Sequence, residues 1–387
     1  MKWEDMKLGD VMDVKHGYAF KGEFFTDAGQ YILLSPGNCH EEGGLKFKGD
    51  KEKYYSGEFP AEYLMSEGDM LVVLTDLINS APILGGAFVI PESNRFLHNQ
   101  RLGAVQITDH RRIDKGFLYY VLNSHNYRAQ VRGSASGATV RHTAPTRIKE
   151  CVVRVPRDVS YQKKIGDILS TYDDLIGNNR RRMALLEESA RLLYREWFVR
   201  LRFPGCEHTL ILDGVPQGWE RVPLEAALVL QRGFDLPTQD RHEGDVPIYG
   251  STGILGYHDK AKAIAPGVVT GRSGTLGEVQ YVAEDYWPLN TALWVKEFKR
   301  VTPLFALFLL REMDLKQFNG GASVPTLDRK SVHRVEILIP AAPLLRSFDE
   351  FASDVFVQIK NLTTQNQKLR VARDLLLPRL MSGELAV

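Results

Sequence analysis

The sequence predicts a mixed α+β chain: two similar α/β globular regions separated by two long helices that form an antiparallel coiled coil. Three observations predict it. Landmark residues occur twice, in the same order. Two stretches carry apolar residues at strict 4,3 spacing. Between them lie short branched and aromatic runs bounded by glycine and proline.

The repetition is direct. Trp3-Glu4-Asp5-Met6-Lys7-Leu8 returns as Trp219-Glu220-Arg221-Val222-Pro223-Leu224, and Gly17 aligns with Gly233 at the same offset of 216. Gly137-Ala138-Thr139-Val140 returns as Gly321-Ala322-Ser323-Val324 at an offset of 184, as Val155-Pro156 does as Ile339-Pro340. The first copy therefore holds about 32 more residues between these landmarks. Each copy reads as a variable globular region, a proline-marked boundary and a helical region. The predicted segments are 1–156 and 204–340 for the globular regions, with helical spacers at 157–203 and 341–387.

In the first spacer the apolar row is Ile165, Leu169, Tyr172, Ile176, Met183, Leu186, Ala190, Leu193 and Trp197, broken by Asn179. In the second it is Phe348, Ala352, Val355, Ile359, Leu362, Leu369, Leu376 and Leu380, broken by Asn366 and Arg373. A seven-residue period buries one stripe of a helix against a partner helix. About 33 residues at 1.5 Å each make a rod of roughly 50 Å. A polar Asn in such a seam lowers stability but can set register. A helix lying on its own globular region would show the same row. Two such helices, each after a matching region, favour an intramolecular pair.

In the globular regions, 70–74, 103–107, 267–270 and 278–282 read as strands, and 117–123 and 304–310 as short helices. Segments 249–253 and 271–275 read as exposed turns whose backbone N–H groups and small hydroxyls can meet a ligand.

Composition sets bounds. The chain has 387 residues, 44% hydrophobic and 25% charged, enough for two or three domains and unlike a collagenous or disordered chain. No apolar run approaches the ~20 residues that span a bilayer, and the charged start MKWEDMKLGD is unlike a secretory leader. Cys39, Cys151 and Cys206 are odd in number and widely spaced, which suits a reduced, cytoplasmic setting. The formal net charge is only +1, but it is unevenly spread. Residues 1–100 carry 9 basic against 16 acidic groups, and residues 101–156 carry 10 against 3. That basic stretch, which includes Arg101, Arg111, Arg112, Arg128, Arg132, Arg141 and Arg147, suits an anionic partner or folds back on the acidic half.

Catalytic signatures are missing. There is no phosphate-binding Gly-x-x-x-x-Gly-Lys loop, no Gly-x-Gly-x-x-Gly turn, no His-Glu-x-x-His and no Gly-x-Ser-x-Gly elbow. His98, His142 and His258 sit near loops without a metal-ligand pattern. Asp285 followed by Glu297-Phe298-Lys299 loosely suggests a nuclease carboxylate–lysine set, a match that chance supplies often. The expectation is a non-catalytic chain with no metal and no cofactor of its own.

Several segments together resemble the DNA-specificity subunit of type I restriction–modification systems, over essentially the full length. They are Trp219-Glu220 with Leu224 and its twin at Trp3; Pro247 to Tyr257 (PIYGSTGILGY); Gly271-Arg272-Ser273-Gly274-Thr275-Leu276-Gly277; Trp287-Pro288-Leu289-Asn290-Thr291; Glu196-Trp197-Phe198 with Phe203-Pro204-Gly205; and Leu376 to Leu385 (LLPRLMSGEL). In the first region Leu74-Thr75-Asp76-Leu77 stands where the Gly-Arg-Ser-Gly turn belongs, so no basic contact carries over there.

The resemblance implies two target-recognition domains, each reading one half of a split, asymmetric duplex DNA target. It implies that the paired helices hold these domains apart and dock two methyltransferase subunits, with restriction/translocase subunits completing the complex. S-adenosylmethionine, ATP and Mg2+ would then belong to the partner subunits. Candidate DNA contacts are Arg101, Ser136, Thr139, Arg141 and His142 in the first region. In the second they are Tyr249, Ser251, Thr252, Arg272, Ser273, Thr326 and Lys330. Cations position a protein on phosphates, and polar side chains read base edges. Two rivals stay open on sequence grounds: a coiled-coil scaffold with protein-binding ends, and a stand-alone nuclease or methyltransferase with an unfamiliar site.

Overall fold

A computed structural model describes residues 2–321 and 323–387. By contact the chain divides into two compact units, Met1–Asn178 with Gln365–Val387, and Asn179–Thr364. Each globular region thus shares its unit with part of both long helices, a grouping the four consecutive segments do not convey.

The first unit is built on a four-stranded sheet, in the order Met12–His16, Leu102–Ile107, Met70–Val73, Ala87–Val89. All its pairs are antiparallel. Its entry and exit strands, Trp3–Lys7 and Val152–Pro156, pair with Glu4 opposite Val155 and Lys7 opposite Val152. Helix Lys115–Asn123 starts at Asp114, whose carboxylate accepts the Phe117 N–H. The core gathers Met6, Leu8, Phe117, Tyr127 and Ile148, and closes with Ile165, Leu169 and Leu380 from the long helices.

The second unit repeats this plan. Its sheet runs Leu228–Arg232, Ala292–Phe298, Gly267–Gly271, Val279–Val282. Its entry and exit strands, Glu220–Pro223 and Glu336–Ile339, pair with Glu220 opposite Ile339 and Pro223 opposite Glu336. Those registers reproduce both sequence offsets residue for residue. Helix Pro303–Glu312 is capped by Thr302, with proline in its first turn. Its Phe305 and Phe308 pack with Tyr194, Phe198 and Phe348 from the long helices.

The long helices span Val159–Tyr194 and Ala342–Ser382. Along the predicted seam Ile165, Leu169, Ile176, Asn179, Val355, Leu362 and Asn366 are buried. Tyr172, Leu186, Leu193, Ile359, Leu369 and Leu376 are half-buried, and no seam member is exposed. One correction falls at the end of the first row. A wide π turn, Arg195–Val199, follows that helix, and the buried face moves by one residue just ahead of it. Tyr194 and Phe198 are buried there, while the predicted Leu193 and Trp197 are half-buried.

Within the first unit Arg373 donates to Asp173 at 2.6 Å, Asn366 Nδ2 donates to the Ile176 carbonyl at 3.4 Å, and the Val387 N–H donates to Tyr161 Oη at 3.0 Å. Within the second, Thr363 Oγ1 lies 3.3 Å from Met183 Sδ, and Arg311 donates to Glu187 at 2.6 Å. No helix of the described residues is long and apolar enough to cross a membrane.

Candidate nucleic-acid interface

In the second unit four loops converge. The Arg272 and Ser273 N–H groups donate to the Thr291 carbonyl at 2.9 and 3.1 Å, and the Gly274 N–H donates to Pro325 at 2.9 Å. The Leu327 N–H returns to the Arg272 carbonyl at 2.8 Å, and Ser273 bridges Thr326. Gly250, at the head of the hairpin formed by Val246–Gly250 and Gly253–His258, backs onto Leu255 and Thr291.

Arg272 is half-buried, and its Nη1 donates to the Asn290 carbonyl at 3.1 Å. Ser251 is half-buried and Thr252 is exposed at the hairpin tip. Lys330 is exposed near the start of helix Arg329–His333, whose Asp328 cap accepts the Lys330 N–H at 3.0 Å. Thr326 is half-buried and turns its hydroxyl to the Val324 carbonyl. Tyr249 departs from the sequence reading. It lies in a strand rather than a turn and is 9% exposed, its ring edge-on to Tyr286. Burial raises its phenol pKa. The strand is buried throughout from Pro247 to Gly250, and Tyr249 lies inside with its neighbours.

The first unit builds the same frame. The Leu74 N–H donates to the Arg101 carbonyl, and the Thr143 N–H donates to Leu74, both at 2.9 Å. Leu74 thus occupies the place of Arg272, and Arg101 that of Thr291. His142 pairs with Thr75 as Thr326 does with Ser273. The turn before it needs a glycine twice: a Cβ on Gly137, at φ +94°, or on Gly321 would strike the carbonyl of Val140 or Val324.

Arg101 is exposed, with no carboxylate partner among the described residues. Ser136 and Thr139 are exposed, and Ser136 exchanges two 2.9 Å backbone bonds with His142. His142 is exposed and bonds Thr75 Oγ1 through Nδ1 at 3.0 Å. Arg141 is not a free cation tip. Its Nη1 and Nη2 donate to the carbonyls of Gly137 and Arg132 at 3.2 and 3.1 Å, bracing the turn.

Two buried charges escaped the sequence reading. Asp76 and Arg128 are 1% and 4% exposed, and both hold one loop of the first unit. Asn290 also does so in the second, donating to Asp235. Asn290 lies within the segment 287–291 singled out in the sequence, but nothing there marked its side chain.

Other candidate chemistry is engaged structurally. Burial pushes the Cys39 thiol up to about 12 and that of Cys151 to about 11, far from a neutral-pH thiolate. His98 donates through Nε2 to the Leu102 carbonyl at 3.0 Å. Asp285 accepts the Ala265 N–H, and Lys299 donates to the Glu225 carbonyl. His242, His258 and Asp259 bring one ligand atom each within 4.8 Å of one another. The Nδ1 lone pair of His258 already accepts the His242 N–H at 3.1 Å, so the trio braces that loop. A cavity of about 1010 Å3 in the first unit, lined among others by Asn126, Arg132 and Arg373, takes no residue from the converging turns.

Comparison with known proteins agrees with this frame. Residues 1–188 match the family model "Type I restriction modification DNA specificity domain". The type I restriction enzyme MjaIX specificity subunit of Methanocaldococcus jannaschii is 24% identical over 309 residues, 70% of this chain and 69% of that one. The EcoBI specificity subunit of Escherichia coli is 24% identical over 193 residues, 50% of this chain and 36% of that one. The solved S subunit of a type I restriction–modification system from M. genitalium shares the fold, with a TM-score of 0.58 at 16% identity, covering 98% of this chain and 96% of that one. The chain is thus similar to the DNA-specificity subunits of type I restriction–modification systems, whose specificity domain its residues 1–188 match.

Proposed function

We propose that each compact unit offers its converging loops to duplex DNA, so that one chain reads a bipartite, asymmetric target. The observation that carries this reading is the twofold frame: one hydrogen-bond pattern, built twice, with unlike side chains at its tips. Arg272, Ser273 and Thr291 of one frame correspond to Leu74, Thr75 and Arg101 of the other. Unlike tips on like frames read unlike half-sites. Exposed Lys330 and Arg101 supply phosphate contacts, and Arg272 and the hydroxyl groups supply base contacts.

In this reading the two long helices form an antiparallel coiled coil that sets the spacing of the half-sites. Contacts inside each unit support it, since partner numbers fall as the first helix advances: 161 with 387, 173 with 373 and 176 with 366, then 183 with 363. The same helices seat two methyltransferase subunits, and restriction/translocase subunits complete the assembly. Methyl transfer and ATP-driven cleavage then reside in those partners, which bind S-adenosylmethionine, ATP and Mg2+. With a net charge of +1 the isolated chain binds DNA weakly, and its partners add phosphate contacts.

The test is a methylation map of DNA modified by the chain reconstituted with its methyltransferase subunits. Two different short elements at one fixed separation are expected. Modification indifferent to sequence would sink the reading.

A further inference from the structure

The two frames part at one place. Beyond Asp76 and its counterpart Gly274 the connecting loops differ in length. Seven positions separate Arg272 from the strand starting at Val279, and thirteen separate Leu74 from the strand starting at Ala87. The added chain carries Leu77-Ile78-Asn79-Ser80 at its tip, all four exposed. Leu77 is 62% exposed and Ile78 is 56%. Single exposed aliphatic residues are ordinary, but two neighbours at a loop tip form a surface that a partner can cover.

The base of this loop is built with buried charge. Asp76 Oδ1 accepts the Ile78 N–H at 3.0 Å and Oδ2 accepts the Ile83 N–H at 2.8 Å. Arg128 donates through Nε to the Leu84 carbonyl at 2.9 Å, through Nη1 to Glu41 at 3.3 Å, and through Nη2 to Pro82. Ala81 is buried and left-handed at φ +50°, a conformation that a non-glycine residue keeps only where its surroundings hold it. Burying a carboxylate and a guanidinium is unfavourable unless hydrogen bonds satisfy them. Here Asp76 is satisfied on the backbone of this loop, and Arg128 ties the same loop to the Glu41 carbonyl of another, which fixes the base and leaves the tip exposed.

We propose that the Leu77–Ser80 tip reads an A·T pair in the half-site taken by the first unit, an inference that rests on the DNA reading above. In the major groove an A·T pair presents the thymine C5-methyl group beside the N6 and N7 edge of adenine. Leu77 and Ile78 pack on the methyl group, and the Asn79 amide pairs with the adenine edge. The setting favours DNA over an apolar protein surface. The tip leaves the frame just after Leu74, the counterpart of Arg272 in the other unit, and exposed Arg101 is bonded through its backbone to Leu74 at the base of the loop.

The experiment uses the complex assembled with its methyltransferase subunits and duplexes carrying the mapped target. Each thymine of the first half-site is replaced in turn by deoxyuridine, which removes only the methyl group. One replacement is expected to weaken binding by the unaltered complex about fourfold, the worth of one buried methyl group. Leu77→Ser together with Ile78→Ser should bind the thymine duplex that much more weakly and no longer distinguish uracil. Asn79→Ala should relax the preference for that A·T pair about tenfold. Binding indifferent to uracil at every thymine would overturn the inference, as would serine variants that still distinguish thymine. Serine variants that fail to assemble with the methyltransferase would also overturn it, making the tip a protein contact. These results leave sequence preference intact, whereas an unaltered complex with no preference defeats the DNA reading itself and this inference with it.

Discussion

Gly17 and Asn99 are fitted to each other: a Cβ on Gly17 would occupy the space of the Asn99 carbonyl oxygen. The Gly17 neighbour Tyr18 forms a parallel bridge to Asn99. Gly233 stands against Leu289 in the same way, and Phe234 bridges Leu289. The close approach locks the first sheet strand of each unit to the segment that delivers Arg101 or Thr291. Gly17→Ala and Gly233→Ala should each destabilise their own unit by about 1–3 kcal/mol, the usual effect of overpacking. Hydrogen exchange on the full chain checks this, with faster exchange expected in the altered unit only. Equal protection in both units would show that the backbone has room to move.

Asp173 serves two partners in the first unit, accepting from Arg373 at 2.6 Å and from the Tyr120 hydroxyl at 2.7 Å. Arg373 was read as a break in the apolar row, and the carboxylate explains how a cation can stand there. Its side chain is 17% exposed and that of Asp173 is 29%. Asp173→Asn should lower stability by about 1–3 kcal/mol, because a charge-assisted bond is lost and a guanidinium is left half-buried. Adding Arg373→Met should recover part of that loss, and urea denaturation of both variants tests it. Strict additivity would mean that the pair contributes nothing of its own.

Features governed by a period or a repeat were legible in the sequence. The buried and half-buried rows along the two long helices follow the seven-residue period, and the paired strands obey offsets visible in Trp3 and Trp219. The shift at Tyr194 was not legible, since it depends on the rings of Phe305, Phe308 and Phe348 that receive Tyr194 and lie far away in sequence. Nor was the burial of Tyr249, whose glycine-rich surroundings suggested a turn. The loop held by Asp76 and Arg128 was hidden for another reason. Arg128 reaches carbonyls 44 to 87 residues away, and only tertiary folding brings those together.

His98 predicts a pH dependence. Burial holds its imidazole pKa at about 4, against an ordinary 6.5, while Nε2 donates to Leu102. Between those values the unfolded chain binds a proton that the folded chain refuses. Stability is therefore full above pH 6.5 and falls as pH drops toward 4, by about 3 kcal/mol in all. Burial lowers the His333 pKa too, so it acts in the same direction, and its Nε2 accepts the Leu230 N–H, a bond that protonation breaks. His98→Gln keeps a donor and cannot titrate. Its loss of stability between pH 7 and 4.5, followed by urea denaturation, should be smaller than that of the unaltered chain. An equal loss would assign the acid sensitivity elsewhere.

Arg272 and Lys330 should separate base reading from phosphate binding in the second unit. Arg272 is half-buried within the converging loops and oriented by the Asn290 carbonyl, so on the proposed reading its guanidinium would meet a base edge at fixed geometry. Lys330 is exposed on a capped helix start, where on the same reading its ammonium would meet a phosphate of any sequence. In the assembled complex, Arg272→Ala should reduce discrimination at one position of the second half-site by about 1–3 kcal/mol and leave the first half-site unchanged. Lys330→Ala should weaken all duplexes alike and lower the slope of log affinity against log salt by about 1. Filter binding across a salt series, with cognate and singly mismatched duplexes, measures both. Should Arg272→Ala weaken every duplex equally, the Arg272 turn would be a backbone contact, and base reading would fall to Ser251, Thr252 and Ser273 on the loops beside it.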